Sequence, residues 1–152
     1  MSKSNSFESK ILRHILLNEA IATLGDAAGV LPSAAAGSVY LRLHKVALGE
    51  ADAGNTSEAD YTGYAAVAIP RTALGFSEAN GVATNVADIA FAVCTANGHD
   101  VVGWSLNTAA AGAGTVLYKG QTLGYDGNPA TIAVAVNGKP VIAAGSLTIS
   151  ED

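Results

Sequence analysis

Apolar residues near the start of the chain recur at helical spacing. Phe7, Ile11 and Ile15 stand four apart, Leu12 and Leu16 run beside them, and Leu17, Ala20, Ile21 and Leu24 continue the stripe. Lys10, Arg13 and Glu19 mostly fall off it. The spacing predicts an amphipathic helix over about residues 6–24, begun by Asn5 with Glu8 as a reciprocal cap and ended by Gly25. Asp26 to Gly37 contains Gly29, Pro32 and three consecutive alanines and reads as a linker. From Ser38 the period changes to two: Val39, Leu41 and Leu43 face one way, Tyr40, Arg42 and His44 the other, as in a half-buried strand. Similar runs follow at Tyr64 to Ile69, Asp88 to Val93, Val101 to Leu106, Thr115 to Lys119, Ile132 to Val136, and Leu147 to Ile149. They imply about seven to nine strands. Asn80-Gly81, Asn97-Gly98, Asp126-Gly127 and Asn137-Gly138 tolerate the positive φ of tight turns, and the last reads as the clearest hairpin.

Many short strands without a second helical pattern predict an all-β fold, an antiparallel jelly-roll-like sandwich with one N-terminal α-helix. Residues 1–37 are expected to be helix and linker, and residues 38–152 the sandwich domain. The 152 residues include 30 alanines and 17 glycines, so small side chains supply much of the 49% hydrophobic fraction. A chain of this length buries about 70% of its extended surface, enough for one core without disulfides or metals. A net charge of -5 opposes binding to a nucleic-acid backbone or an anionic membrane surface. Lys10, Arg13, His14 and Glu19 interrupt any apolar run that a signal peptide would need.

Candidate chemistry is sparse. His14, His44 and His99 fall on a helix, a strand and a turn without metal-ligand spacing, and are expected at the surface. Cys94 follows an apolar run and is expected to pack in a core. The Ala110 to Thr115 stretch lacks the ending of a phosphate loop and reads as a flexible turn. Glu50, Asp52, Glu58 and Asp60 could supply hard oxygen ligands, but they do not match an EF-hand calcium loop, and the chain offers no basic cluster to pair with them. Solvated carboxylates are expected, with no metal and no cofactor. The aromatic residues do not interleave with Lys or Arg as a nucleic-acid platform requires.

Glu58-Ala-Asp-Tyr61-Thr-Gly-Tyr64-Ala-Ala-Val67 followed by Arg71 resembles a family of small bacteriophage virion proteins, described as head decoration (cement) proteins or, loosely, as tail-fibre proteins. The resemblance extends over Ser4-Asn-Ser-Phe7, Tyr40-Leu-Arg-Leu-His44, Asn85 with Ile89-Ala-Phe91 and Cys94, Gly114-Thr-Val-Leu-Tyr118 with Gly120, and Ala143 to Ile149. Pro70 before Arg71, and Phe76 where a tryptophan is expected, depart from it. The resemblance implies a virion protein, made in the host cytoplasm, that binds the outer surface of an icosahedral head as a homotrimer. Its partner would be the major capsid protein, whose neighbouring subunits it would clamp by mass action. No catalysis is implied. The alternative is a tail-fibre or receptor-binding module; a small carbohydrate-binding jelly roll is the reading from another class. The helix, set apart by its linker, is expected to serve assembly more than the sandwich, with Phe7, Ile11 and Ile15 as subunit or capsid contacts.

Overall fold

The computed structural model describes residues 3–22, 24–124 and 126–151. The elements in chain order are α1 (Asn5–Leu17), β1 (Ser38–His44), β2 (Val67–Pro70), β3 (Phe76–Ala79), β4 (Val82–Asn85) and β5 (Ile89–Ala90). They continue with β6 (His99–Val101), β7 (Gly103–Asn107), β8 (Val116–Gln121), β9 (Ile132–Val134), β10 (Val141–Ile142) and β11 (Thr148–Ser150). The fold is dominated by antiparallel sheets with one N-terminal helix. Among the described residues the strands form four sheets, in the orders β2-β1-β7-β8, β11-β4-β3, β10-β5 and β6-β9. The antiparallel β-rich class is as expected, and the pairings do not extend to showing a single jelly-roll sandwich. The chain divides into two compact units: Met1–Ser38, Ile69–Ile89 and Ile142–Asp152 make the first, and Val39–Ala68 with Ala90–Val141 the second.

In the first unit, β3 and β4 form a hairpin in which Phe76 pairs with Asn85 and Ala79 with Val82. β11 adds to the other edge of β4, with Ile149 opposite Ala83. Asn80 at φ 54° and Gly81 at φ 80° occupy the turn, the mirror-image geometry that matches strand twist. Asn137-Gly138 is also a turn, but the flanking strands β9 and β10 pair with β6 and β5, so the clearest hairpin is the one at Asn80. Phe76, Ala83 and Ile149 share the buried face of this sheet, while Ser77 and Thr148 point outward. Asn85, also buried, joins the segment before β11: its amide donates to Ala87 O at 2.8 Å and Ala143 O at 2.9 Å, and its Oδ1 accepts from Leu147 N–H at 2.9 Å.

α1 packs on β3 and β4 of its own chain, where Leu12 and Leu16 are both fully buried. The helix therefore belongs to the fold of this unit, contrary to its expected separation. It starts after Ser4, which makes no side-chain cap, and ends at Asn18 in the left-handed conformation, before the expected Gly25. Asn18 replaces the glycine because its amide also holds the linker: Nδ2 donates to Ser33 O and Oδ1 accepts from Ser33 N–H, each at 2.9 Å. Ile21, expected within the helix, instead forms an isolated bridge with Val30.

The last carbonyls of a helix lack internal partners, and Arg71 supplies them here. Its Nε donates to Ile15 O at 2.6 Å, Nη2 to His14 O at 2.9 Å, and Nη1 to Ala36 O at 3.2 Å. Arg71→Ala is expected to cost about 2 kcal/mol, since charge-assisted hydrogen bonds to part-buried carbonyls are lost together. Thermal unfolding followed at helix wavelengths checks this; an unchanged melting temperature would remove the capping role.

Candidate functional site

In the second unit, β1 pairs with β7 so that Leu41 faces Leu106, Arg42 faces Ser105 and Leu43 faces Trp104. One face of these strands carries Val39, Leu41, Leu43 and Leu106, all buried. The opposite face carries Arg42, His44, Ser105 and Asn107, and each of these polar side chains is 0% exposed. The alternation expected for β1 is therefore present, but the strand is buried on both faces and His44 is not a surface residue. Segments 52–58 and 109–115 supply the backbone groups that satisfy this polar face.

Arg42 Nη1 donates to Gly112 O at 2.7 Å and Nη2 to Ala109 O at 2.5 Å, and Nη1 also lies 3.3 Å from Glu58 Oε2. The glycine-rich turn expected to be flexible is thus tied to a buried guanidinium. Tyr64 joins the same group by donating from its hydroxyl to Glu58 Oε1 at 3.1 Å, while that hydroxyl accepts from Leu43 N–H at 3.0 Å. Burial pushes the Glu58 carboxyl up from its ordinary value against the pull of Arg42 and the Tyr64 hydrogen bond. It also pushes the Tyr64 phenol up.

His44 has both ring nitrogens engaged. Thr56 O, 2.9 Å from Nδ1, can only accept, so Nδ1 carries the proton. Nε2 then accepts from the Ser105 hydroxyl at 2.6 Å, and the Ser105 oxygen in turn accepts from Asn107 Nδ2 at 2.7 Å. Desolvation holds His44 below the ordinary imidazole range, assisted by the nearby Arg42 charge.

The four loop carboxylates do not converge on a common point, and each is held separately. Glu50 pairs with Lys119 at 2.8 Å and Asp60 with Lys45 at 2.8 Å, Glu58 meets Arg42, and Asp52 accepts from Gly49 N–H at 2.6 Å. Glu50, Asp52 and Asp60 are exposed, as expected of solvated loop carboxylates, and only Glu58, whose side chain is 19% exposed, departs from that expectation by pairing with buried Arg42. Among the described residues, no group of three His, Cys, Asp or Glu side chains could hold a metal ion. Cys94 is fully buried as expected, with Sγ 3.4 Å from Ala96 O. Tyr61, Tyr64, Phe91 and His99 form a packed ring cluster, with Tyr64 stacked on Phe91 at a 6.1 Å centroid distance.

On α1, Phe7 is 36% exposed, and Ile11 and Ile15 are half-buried beside the fully covered Leu12 and Leu16. The three residues singled out from the sequence therefore form the open flank of the helix. Leu31 and Leu74 in the same unit are also exposed. No described helix is long and apolar enough to cross a membrane.

A β-rich chain with a buried polar framework, separately paired loop carboxylates and an open apolar helix flank has the makings of a structural component. The family model described as "Podophage GP4 fiber I protein gp80" matches residues 2–150, and the chain belongs to that family. It is a structural phage protein of the fibre or decoration type. No curated protein matches it.

Proposed function

We propose that this chain is a fibre component of a phage virion. The observation that carries the reading is the fibre-family match across residues 2–150. It favours the tail-fibre alternative over the head-decoration reading. We further propose that the chain works as a homotrimer, in which Phe7, Ile11 and Ile15 contact another subunit. Their open flank supports this, because a partly exposed Phe beside two half-buried isoleucines gains by burial against a second copy. An acidic chain with small side chains suits close packing of identical subunits at a protein surface, where no nucleic acid or lipid needs to be held.

Gold-labelled antibody on intact parent particles tests the placement, and label along the tail appendages is the expected result. Label spread over the head would return the protein to the decoration reading, with the major capsid protein as its partner. Sedimentation of the purified chain tests the trimer. A mass three times that of the 15.2 kDa subunit is expected, reduced to one subunit in Phe7→Asp, and a wild-type monomer at all concentrations would remove the trimer.

A further inference from the structure

Nothing in the proposed fibre role uses the buried polar face of the second unit, yet this face places a titratable imidazole where it cannot gain a proton without rearrangement. We propose that His44 is an acid-sensitive latch: a proton gained at Nε2 loosens segments 52–58 and 109–115 from the polar face of β1 and β7.

The argument starts from hydrogen-bond direction. Nδ1–H already donates to Thr56 O, and Nε2 is occupied by the Ser105 hydroxyl hydrogen. Protonation would set two hydrogens against each other along a 2.6 Å contact, so the Ser105 hydroxyl must turn. Its oxygen already accepts from Asn107 Nδ2, and the acceptor it could then reach is Asn107 Oδ1 after the amide turns over. That oxygen is buried without a partner and lies so close to Gly54 that a Cβ there would overlap it. Turning the amide would bring its bulkier NH2 group against Gly54, whose N–H donates to Ala113 O at 2.7 Å and ties the two covering segments together.

Charge acts in the same direction. Arg42, two residues away on the same strand face, is fully buried, so a protonated His44 adds a second cation to a face shielded from water. The other groups around His44 are Asp52 and Glu58 on the covering segment, with Tyr64 on Glu58, and Lys119 opposite Ser105 on β8, paired with Glu50. Asp52 favours the protonated ring, but more weakly than burial opposes it.

The sign follows from linkage. A base held below its ordinary pKa when covered binds a proton more readily once uncovered, so covering is fully favoured above the ordinary imidazole value. That contribution is lost as pH falls through the lowered one. Glu58 has the opposite sign: its raised carboxyl takes a proton more readily when covered, which partly offsets the loss at more acid pH.

Two readings on the full chain test the latch: the His44 ring nitrogen shifts, and exchange of the Gly54 amide hydrogen corrected for its intrinsic pH dependence. Between about pH 7.5 and about pH 5, Gly54 protection should fall about tenfold, with the midpoint of the His44 titration. His44→Asn keeps a donor for Thr56 O but cannot gain a proton, and its Gly54 protection should be independent of pH over that range. Should the variant fail to fold, the wild-type comparison alone decides. Constant protection while His44 takes a proton, constant protection with His44 still neutral, or an equal fall in His44→Asn would each overturn the proposal.

Discussion

Arg42→Met is expected to lower stability by about 3–5 kcal/mol, the cost of removing one partner from a buried, hydrogen-bonded ion pair. The loss has three parts. Glu58 keeps its carboxylate at a site where burial already disfavours the charge, while Ala109 O and Gly112 O each lose a donor. Methionine fills most of the same volume, which limits any cavity contribution. Denaturant unfolding of the full chain measures the change as a fall in midpoint at unchanged slope. Lys45→Met is the matched control, because its partner Asp60 is 69% exposed and solvent-screened pairs of this kind contribute little to stability. Equal effects of the two substitutions would show that the polar face of β1 is not a stabilising element.

The second large effect is expected at Leu16. Its side chain is fully covered in the unit where α1 lies on β3 and β4, and Leu16→Ala should cost about 2–5 kcal/mol from lost burial and the cavity left behind. Phe7→Ala, on the open flank, should change monomer stability by under about 1 kcal/mol. Measuring both by chemical unfolding below the association range separates a helix that belongs to the fold from one that only bridges subunits. A small effect at Leu16 with a large one at Phe7 would reverse the assignment of the two flanks.

Where sequence and structure agree, the deciding interactions are local. The four-residue spacing of Phe7, Ile11 and Ile15 beside Leu12 and Leu16 specifies a helix because side chains one turn apart share a face. Alternation in β1 and the positive φ of Asn80-Gly81 depend on two or three adjacent residues. Where they differ, a partner distant in the chain decides. Arg71 satisfies carbonyls at Ile15 and His14, and Asn18 binds Ser33, so the helix stops near residue 17 although apolar residues continue to Leu24. Alternation places Arg42 and His44 opposite the leucines, but it carries no sign that two later loops will cover them. A histidine between Leu43 and Lys45 has the same local pattern whether water or a Ser105 hydroxyl meets its ring. The nearest signal was compositional: an arginine and a histidine two apart in a strand, with Glu58 and a glycine-rich segment available as distant partners. For the open helix flank the residues themselves were legible. What covers them depends on another molecule.

The order in which the first unit draws on the chain also bears on its synthesis. Its helix and hairpin lie within residues 1–89, but β11, which completes the sheet along β4, comes only at residues 148–150. The larger part of the second unit, Ala90–Val141, is translated in between. During that interval one edge of β4 offers unpaired backbone groups, and nascent chains on neighbouring ribosomes carry the same edge and the same late strand. Closure within a chain thus competes with exchange of β11 between chains, and pairings so far apart in sequence form slowly.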